Sequence, residues 1–175
     1  HFTQNFDDLC ERAGDTEVIH LHGELRKMRS LGCPKNIVDI GYTRYWSGVG
    51  DQTEERPTRF RCEKSGTLFR PDIVLFGEFA PRYKTLWSTF KNARRDDLIV
   101  VIGTQGNVLP VNQLCMMAPG PKILVNLHES EHIISQLFTF CFFESASSAA
   151  DKVAELIEEH VNSITSGKAH PWKGR

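Results

Sequence analysis

Two short apolar runs, Leu98 to Ile102 and Lys122 to Leu127, constrain this chain more than any other feature. Neither alternates apolar with polar residues, so each is expected to be dry on both faces. Strands of a parallel sheet covered on both sides have this pattern. Each run ends in a polar or glycine-rich turn: Gly103-Thr104-Gln105-Gly106-Asn107 after the first, Asn126 to Glu129 after the second. Ligands of open α/β sheets gather at the carboxyl ends of strands, so those turns are the first place to look for a site. Val18 to Leu21 and Phe138 to Phe143 are the other expected buried strands.

The spacing of Ala150, Val153, Ile157, Val161 and Ile164 predicts a helix, with Ser148 and Asp151 resembling a capping box and Gly167 as its stop. A second helix is expected over Pro81 to Ala93. Residues 26–70 differ in character. They hold ten Lys or Arg against five Asp or Glu, in a chain whose net charge is −1. Glycines and prolines punctuate the segment and no long periodicity survives, so it reads as a lobe inserted between α/β units. A solvated surface explains its charge more readily than an anionic partner does. The tail from Lys168 to Arg175 is expected to fray.

The composition narrows the function. A near-zero net charge argues against a dedicated nucleic-acid binder, and no apolar run approaches the roughly 20 residues of a membrane span. The first residues carry no secretory signal pattern. Five cysteines without disulfide-like spacing point to a reducing, cytoplasmic setting.

Several short motifs compete. His128-Glu129-Ser130-Glu131-His132 formally matches the zinc-hydrolase pattern H-E-x-x-H, which needs both imidazoles on one helix and a third ligand. Here it follows directly on a strand, so it reads as a charged turn. His20 and His22 share a strand face and are candidate ligands. His22, followed by Gly23 at a strand end, also suits a general base. Cys33 and Cys62 bracket the lobe without C-x-x-C partners, and Cys10, Cys115 and Cys141 read as small buried residues, so no metal site is expected. Gly48-Val49-Gly50 is neither a dinucleotide fingerprint nor a P-loop.

Taken in order, the pieces resemble one family. Thr3-Gln4-Asn5-Phe6-Asp7-Asp8-Leu9, then Arg12-Ala13-Gly14, then Leu21-His22-Gly23-Glu24-Leu25 resembles the sirtuin run T-Q-N-[IV]-D-G-L…A-G…H-G. Arg70-Pro71-Asp72-Ile73-Val74-Leu75-Phe76-Gly77-Glu78 resembles R-P-x-[VI]-V-x-F-G-E, and Leu98 to Pro110 resembles a strand followed by G-T-S-x-x-V-x-P. Asn126 sits where the family has the asparagine of N-x-E. The likeness is collinear over residues 3–161, and His22 to Leu25 with Gly103 to Gly106 is most similar to bacterial protein deacylases.

The resemblance implies a Rossmann-like, mostly parallel sheet that binds NAD (residues 1–25 and 71–167), a small lobe inserted at 26–70 where the family has a zinc module, and a tail at 168–175. It implies NAD-dependent removal of acyl groups from protein lysine, giving nicotinamide and O-acyl-ADP-ribose. Gln4, Asn5 and Asp7 would orient the nicotinamide ribose, and His22 would be the general base. Gly103, Thr104 and Gln105 would meet the cofactor, while Asn126, Leu127 and His128 would contact its adenosine half. Val74, Phe76, Gly77 and Glu78 would line an acylated-lysine peptide paired by β-augmentation. On the bland reading, Asn5 and Asp7 cap the helix that begins near Asp8.

Four departures qualify the likeness. The family's opening G-A-G-x-S segment has no counterpart in the sequence, so an amino-terminal segment or a partner chain is expected to supply it. The two C-x-x-C pairs are missing. Gln105 replaces the serine of G-T-S, and His128 the acid of N-x-E. Asp8 stands where the family has glycine. Two alternatives stay open: NAD hydrolysis or ADP-ribosyl transfer on the same scaffold, and a catalytically incomplete module that only binds peptide.

Overall fold

The computed structural model describes residues 1–42, 61–167 and Trp172. Arg44 and the Gly48-Val49-Gly50 segment lie outside the described residues, as does most of the tail. The chain divides into two compact units, His1–Leu86 and Trp87–Arg175.

The first unit opens with β1 (Phe2–Thr3), paired in parallel with β2 (Ile19–His20), and the short helix α1 (Leu9–Arg12) lies between them in sequence. β3 (Gly23–Ser30) then pairs antiparallel with β4 (Ile37–Asp39) on one side and β5 (Phe69–Ile73) on the other. The expectation of no regular pattern after residue 26 is therefore corrected: Arg26 to Ser30 continue a strand. Charged residues hide its alternation because only Met28 and Ser30 of that stretch are buried. The ladder needs Gly23, whose φ of +91° is unfavourable for residues with a side chain. A Cβ there would stand 1.9 Å from the Asp72 carbonyl oxygen. Helix α2 (Tyr83–Lys91) is shorter at both ends than expected and leads from the first unit into the second.

The second unit holds a three-stranded parallel sheet in which β7 (Lys122–Asn126) lies between β6 (Ile99–Ile102) and β8 (Phe140–Phe143). Every residue of β7 is buried, as an uninterrupted apolar run requires. Leu124 packs on one face with Val111 and Cys115 of α3 (Val111–Met117) and with Ile133 and Phe138. Ile123 and Val125 pack on the other with Ala149 and Val153 of α4 (Ala146–Thr165).

α4 corrects two expectations. Ser145 is the cap, its Oγ accepting from the Ser148 amide at 3.2 Å. The buried face runs through Ala149, Val153, His160 and Ser163, whereas Ile157, Val161 and Ile164 are exposed. Gly167 follows with a φ of +63°, the left-handed stop expected of it. Trp172 does not fray: it is buried, edge-on to Phe140 and stacked on His160.

No helix among the described residues is long and apolar enough to cross a membrane.

Candidate functional site

The sequence-predicted residues fall into two groups, one in each unit. In the first unit, β1 and β2 place the Gln4–Asp8 loop beside the exit of β2. Leu21 N–H donates to the Thr3 carbonyl at 2.8 Å, and Leu25 N–H to the Phe6 carbonyl at 3.0 Å. His22 Nδ1 lies 3.1 Å from the Gln4 carbonyl oxygen and Nε2 lies 2.8 Å from the Tyr83 hydroxyl. A carbonyl only accepts, so Nδ1 donates to it, while Nε2 faces a phenol that can donate or accept. The neutral ring with its proton on Nδ1 is the tautomer a base acting through Nε2 needs. Burial pushes the Tyr83 hydroxyl above its ordinary value.

Asp7 Oδ1 accepts from the Leu9 amide at 3.1 Å, just ahead of α1, whose N-cap position is Asp8 and carries no side-chain capping bond. Asn5 is exposed and does not cap; its own amide donates to Thr3 Oγ1. The charge on Asp8 is not left bare. Its Oδ2 takes a hydrogen bond from the Tyr42 hydroxyl and one from Arg26 at 3.1 Å, and these hold its carboxyl below the usual range.

The Val74–Glu78 segment follows β5. Val74 N–H donates to the His22 carbonyl at 2.8 Å, tying it to the same strand exit. Leu75 to Glu78 form a turn closed by Glu78 N–H on the Leu75 carbonyl at 3.0 Å, with Gly77 at a φ of +83°. Phe76 projects fully into solvent. Glu78 accepts from Arg70, from the Leu75 amide at 2.9 Å and from Arg29 at 3.2 Å. Arg70 above all, then that amide, pull its carboxyl down to about 2.

In the second unit the two strand-end turns are pinned together. Asn126 Oδ1 accepts from the Thr104 amide at 3.0 Å and Asn126 Nδ2 donates to the Thr104 carbonyl at 2.8 Å. Both ends of this buried carboxamide therefore hold the turn. Gly103 has a φ of +65° and open space where a Cβ would stand, so its backbone is free for close approach. Gln105, Leu127 and His128 are exposed at the same strand ends. The His128–His132 segment is not helical, as its position after a strand implied. Ser130 within it donates to the Gln105 carbonyl at 2.6 Å.

Two contacts were missed from sequence, Tyr83 on His22 and Ser130 on Gln105; neither residue belongs to a motif that would have marked it.

Cys62 and Cys33 do not face C-x-x-C partners. Asn36 and Ser65 stand three residues beyond them, and Asn36 Nδ2 donates to the Cys62 sulfur at 3.1 Å. Hydrogen bonds from Ser30, Ser65 and Asn36 pull the Cys62 thiol down to about 6. Cys115 is buried, and its thiol is pushed up to about 11 by desolvation; Cys10 and Cys141 are half-buried. Among the described residues, one group could surround a metal ion: Glu11, His20 and Glu24, with ligand atoms within 4.8 Å of one another.

The second unit thus holds a parallel α/β sheet with its strand-end turns tied together, and the first a histidine beside a Gln-Asn-x-Asp loop. The Sir2 family profile matches residues 1–110, and the chain belongs to the Sir2 family. It is 38% identical over 157 residues to the NAD-dependent protein deacylase of Campylobacter jejuni, covering 89% of this chain and 60% of that one. It is 37% identical over 164 residues to the NAD-dependent protein deacylase of Helicobacter hepaticus, covering 91% and 60%. The chain thus spans about 60% of the length of these relatives. A solved Sir2 homologue in complex with NAD superposes with a TM-score of 0.67 at 29% identity, over 90% of this chain and 57% of that one. A Sir2 complex with p53 peptide and NAD+ gives 0.63 at 25% identity, over 88% and 61%. These likenesses establish the α/β, Rossmann-like fold expected from sequence.

Proposed function

We propose that this chain carries catalytic residues of an NAD-dependent protein-lysine deacylase. The observation that carries this reading is His22, its Nδ1 held by the Gln4 carbonyl and its Nε2 facing the Tyr83 hydroxyl. NAD, the cosubstrate, supplies the ADP-ribosyl group that receives the acyl oxygen as nicotinamide leaves. His22 Nε2 would take a proton from a ribose hydroxyl so that the 2′-oxygen can attack the acyl carbon; the lysine amine would leave with a proton, and a water molecule would complete O-acyl-ADP-ribose.

Gln4, Asn5 and Asp7 orient the nicotinamide ribose by directed hydrogen bonds. The backbone at Gly103 to Gln105 approaches the nucleotide, supported from behind by Asn126, and Leu127 and His128 border the adenosine. The open space at Gly103 supports that fit. The Val74 to Glu78 segment, tied to the strand exit of His22, lines the acyl-lysine peptide. A cytoplasmic setting belongs to the same reading.

The test is product analysis after incubation with NAD and an acetyl-lysine peptide. O-acetyl-ADP-ribose in equal amount to free lysine supports deacylation. ADP-ribose alone, formed without peptide, replaces it with NAD hydrolysis, and ADP-ribosylated protein replaces it with transfer.

A further inference from the structure

The lobe where the family has its zinc module keeps two cysteines, Cys33 and Cys62. Ser30-x-x-Cys33 leaves the end of β3 and Cys62-x-x-Ser65 precedes β5, each with the spacing of a C-x-x-C pair and a serine in one of its two places. Each segment closes into a turn of its own. Ser30 N–H donates to the Asn36 carbonyl at 3.0 Å, and Asn36 N–H to the Cys33 carbonyl at 2.7 Å. In the other turn Cys62 N–H donates to the Thr67 carbonyl at 2.8 Å, and Gly66 N–H to the Cys62 carbonyl at 2.7 Å. The β3–β5 ladder runs into both turns, since Ser30 pairs with Phe69 and Leu31 N–H donates to the Leu68 carbonyl at 3.0 Å. The two turns therefore face each other.

A zinc ion does not fit the donors present. A structural zinc site draws its four ligands from thiolate, imidazole and carboxylate. These four positions offer two thiols and two hydroxyls, and a serine hydroxyl keeps its proton at neutral pH. Among the described residues, no third His, Cys, Asp or Glu stands close enough to Cys33 and Cys62 to share an ion with them. The groups engage one another instead. Ser30 Oγ lies 3.3 Å from Ser65 Oγ and 3.2 Å from Thr67 Oγ1, and the last two lie 2.8 Å apart. Cys33 N–H donates to Ser30 Oγ at 3.1 Å and Gly32 N–H to Thr67 Oγ1 at 2.9 Å. The Cys62 sulfur accepts from Asn36 Nδ2 at 3.1 Å. Ser30 and Cys62 are each 1% exposed, so water does not compete for these bonds. The turns also touch: a Cβ on Gly32 would stand 2.8 Å from Thr67 Cγ2 and 2.9 Å from Ser65 Cβ.

We propose that hydrogen bonds stand where the family has its metal: Ser30, Ser65 and Thr67, with Asn36 on the Cys62 sulfur, clasp the two turns at the four ligand positions of the zinc module, and the lobe folds without zinc. Ser30 and Ser65 each hold one ligand position, so a thiol returned to both would rebuild the site. Nothing in this depends on the deacylase reading.

The test uses the full chain, purified with zinc present and under reducing conditions, and it needs neither NAD nor peptide. Metal content is measured by elemental analysis, and thermal unfolding is followed with and without EDTA. The unaltered chain should carry no stoichiometric zinc, and its melting temperature should ignore the chelator. Thr67→Val removes a hydroxyl at nearly constant volume and should lower the melting temperature by about 2–4 °C, the shift for roughly one net hydrogen bond in a chain of this size. The double variant Ser30→Cys/Ser65→Cys should gain about one zinc per chain, and cobalt in its place should absorb in the visible as a tetrahedral thiolate site does. A thiolate-bound metal in the unaltered chain, stoichiometric and lost together with stability on chelation, overturns the proposal. So does a double variant that folds and takes up no zinc, or a Thr67→Val chain that melts like the unaltered one. If the double variant does not fold, the metal content of the unaltered chain and the melting of Thr67→Val still decide.

Discussion

The Tyr83 hydroxyl lies 2.8 Å from His22 Nε2, so the nitrogen that should accept a ribose proton already holds one partner. A ribose hydroxyl must displace the phenol. Tyr83→Phe should therefore keep nicotinamide release and lower KM for NAD by about 2- to 10-fold, the value of one net hydrogen bond of about 0.5–1.5 kcal/mol. Steady-state kinetics of the variant check this. A fall in kcat like that of a His22 variant would make the phenol a participant instead.

Glu78 offers a pH-dependent prediction. Its carboxyl sits near 2 in the fold against an ordinary 4.5, chiefly through Arg70 and then the Leu75 amide. A depressed carboxylate stabilises the fold above the ordinary value, and that contribution is lost as pH falls toward the folded value. Glu78→Gln should therefore be less stable than the unaltered chain at neutral pH, and the gap should close as pH falls from about 4.5 toward about 2. Denaturant titrations at both ends of that range measure the gap, and a gap independent of pH contradicts the assignment.

Gly23 joins a left-handed backbone to a close approach. In Gly23→Ala the new methyl meets the Asp72 oxygen at 1.9 Å, and the left-handed conformation adds about 1–2 kcal/mol of its own. The β3–β5 ladder should not form in its present register, which a large drop in melting temperature with loss of near-ultraviolet circular dichroism would show.

Asn126→Asp keeps the acceptor for the Thr104 amide and replaces the donor with an oxygen facing the Thr104 carbonyl. That should cost about 1–3 kcal/mol, the range for an unsatisfied buried polar group. If the turn serves NAD, affinity measured by calorimetry should fall together with stability. Unchanged affinity would separate the turn from the nucleotide.

What was legible in the sequence follows from what each signal depends on. β7 was plain because burial on both faces leaves only apolar residues at Ile123, Leu124 and Val125. β3 was obscure because Arg26, Lys27 and Arg29 occupy its wetter positions. Three serines at 145, 147 and 148 could each begin α4, and the local sequence does not distinguish them. The apolar stripe at Ile157, Val161 and Ile164 has the right period, yet the helix buries the neighbouring stripe, where His160 Nε2 donates to the Asp96 carbonyl. The order of motifs marked His22, but the partners that set its tautomer lie 18 and 61 residues away. Nothing local announces them.

The most direct measurement is nicotinamide release from NAD by this chain, with and without an acetyl-lysine peptide, beside His22→Ala. Release that requires the peptide and disappears in the variant is the predicted result. Release that ignores the peptide, or survives loss of the imidazole, would contradict His22 as the base of a deacylase.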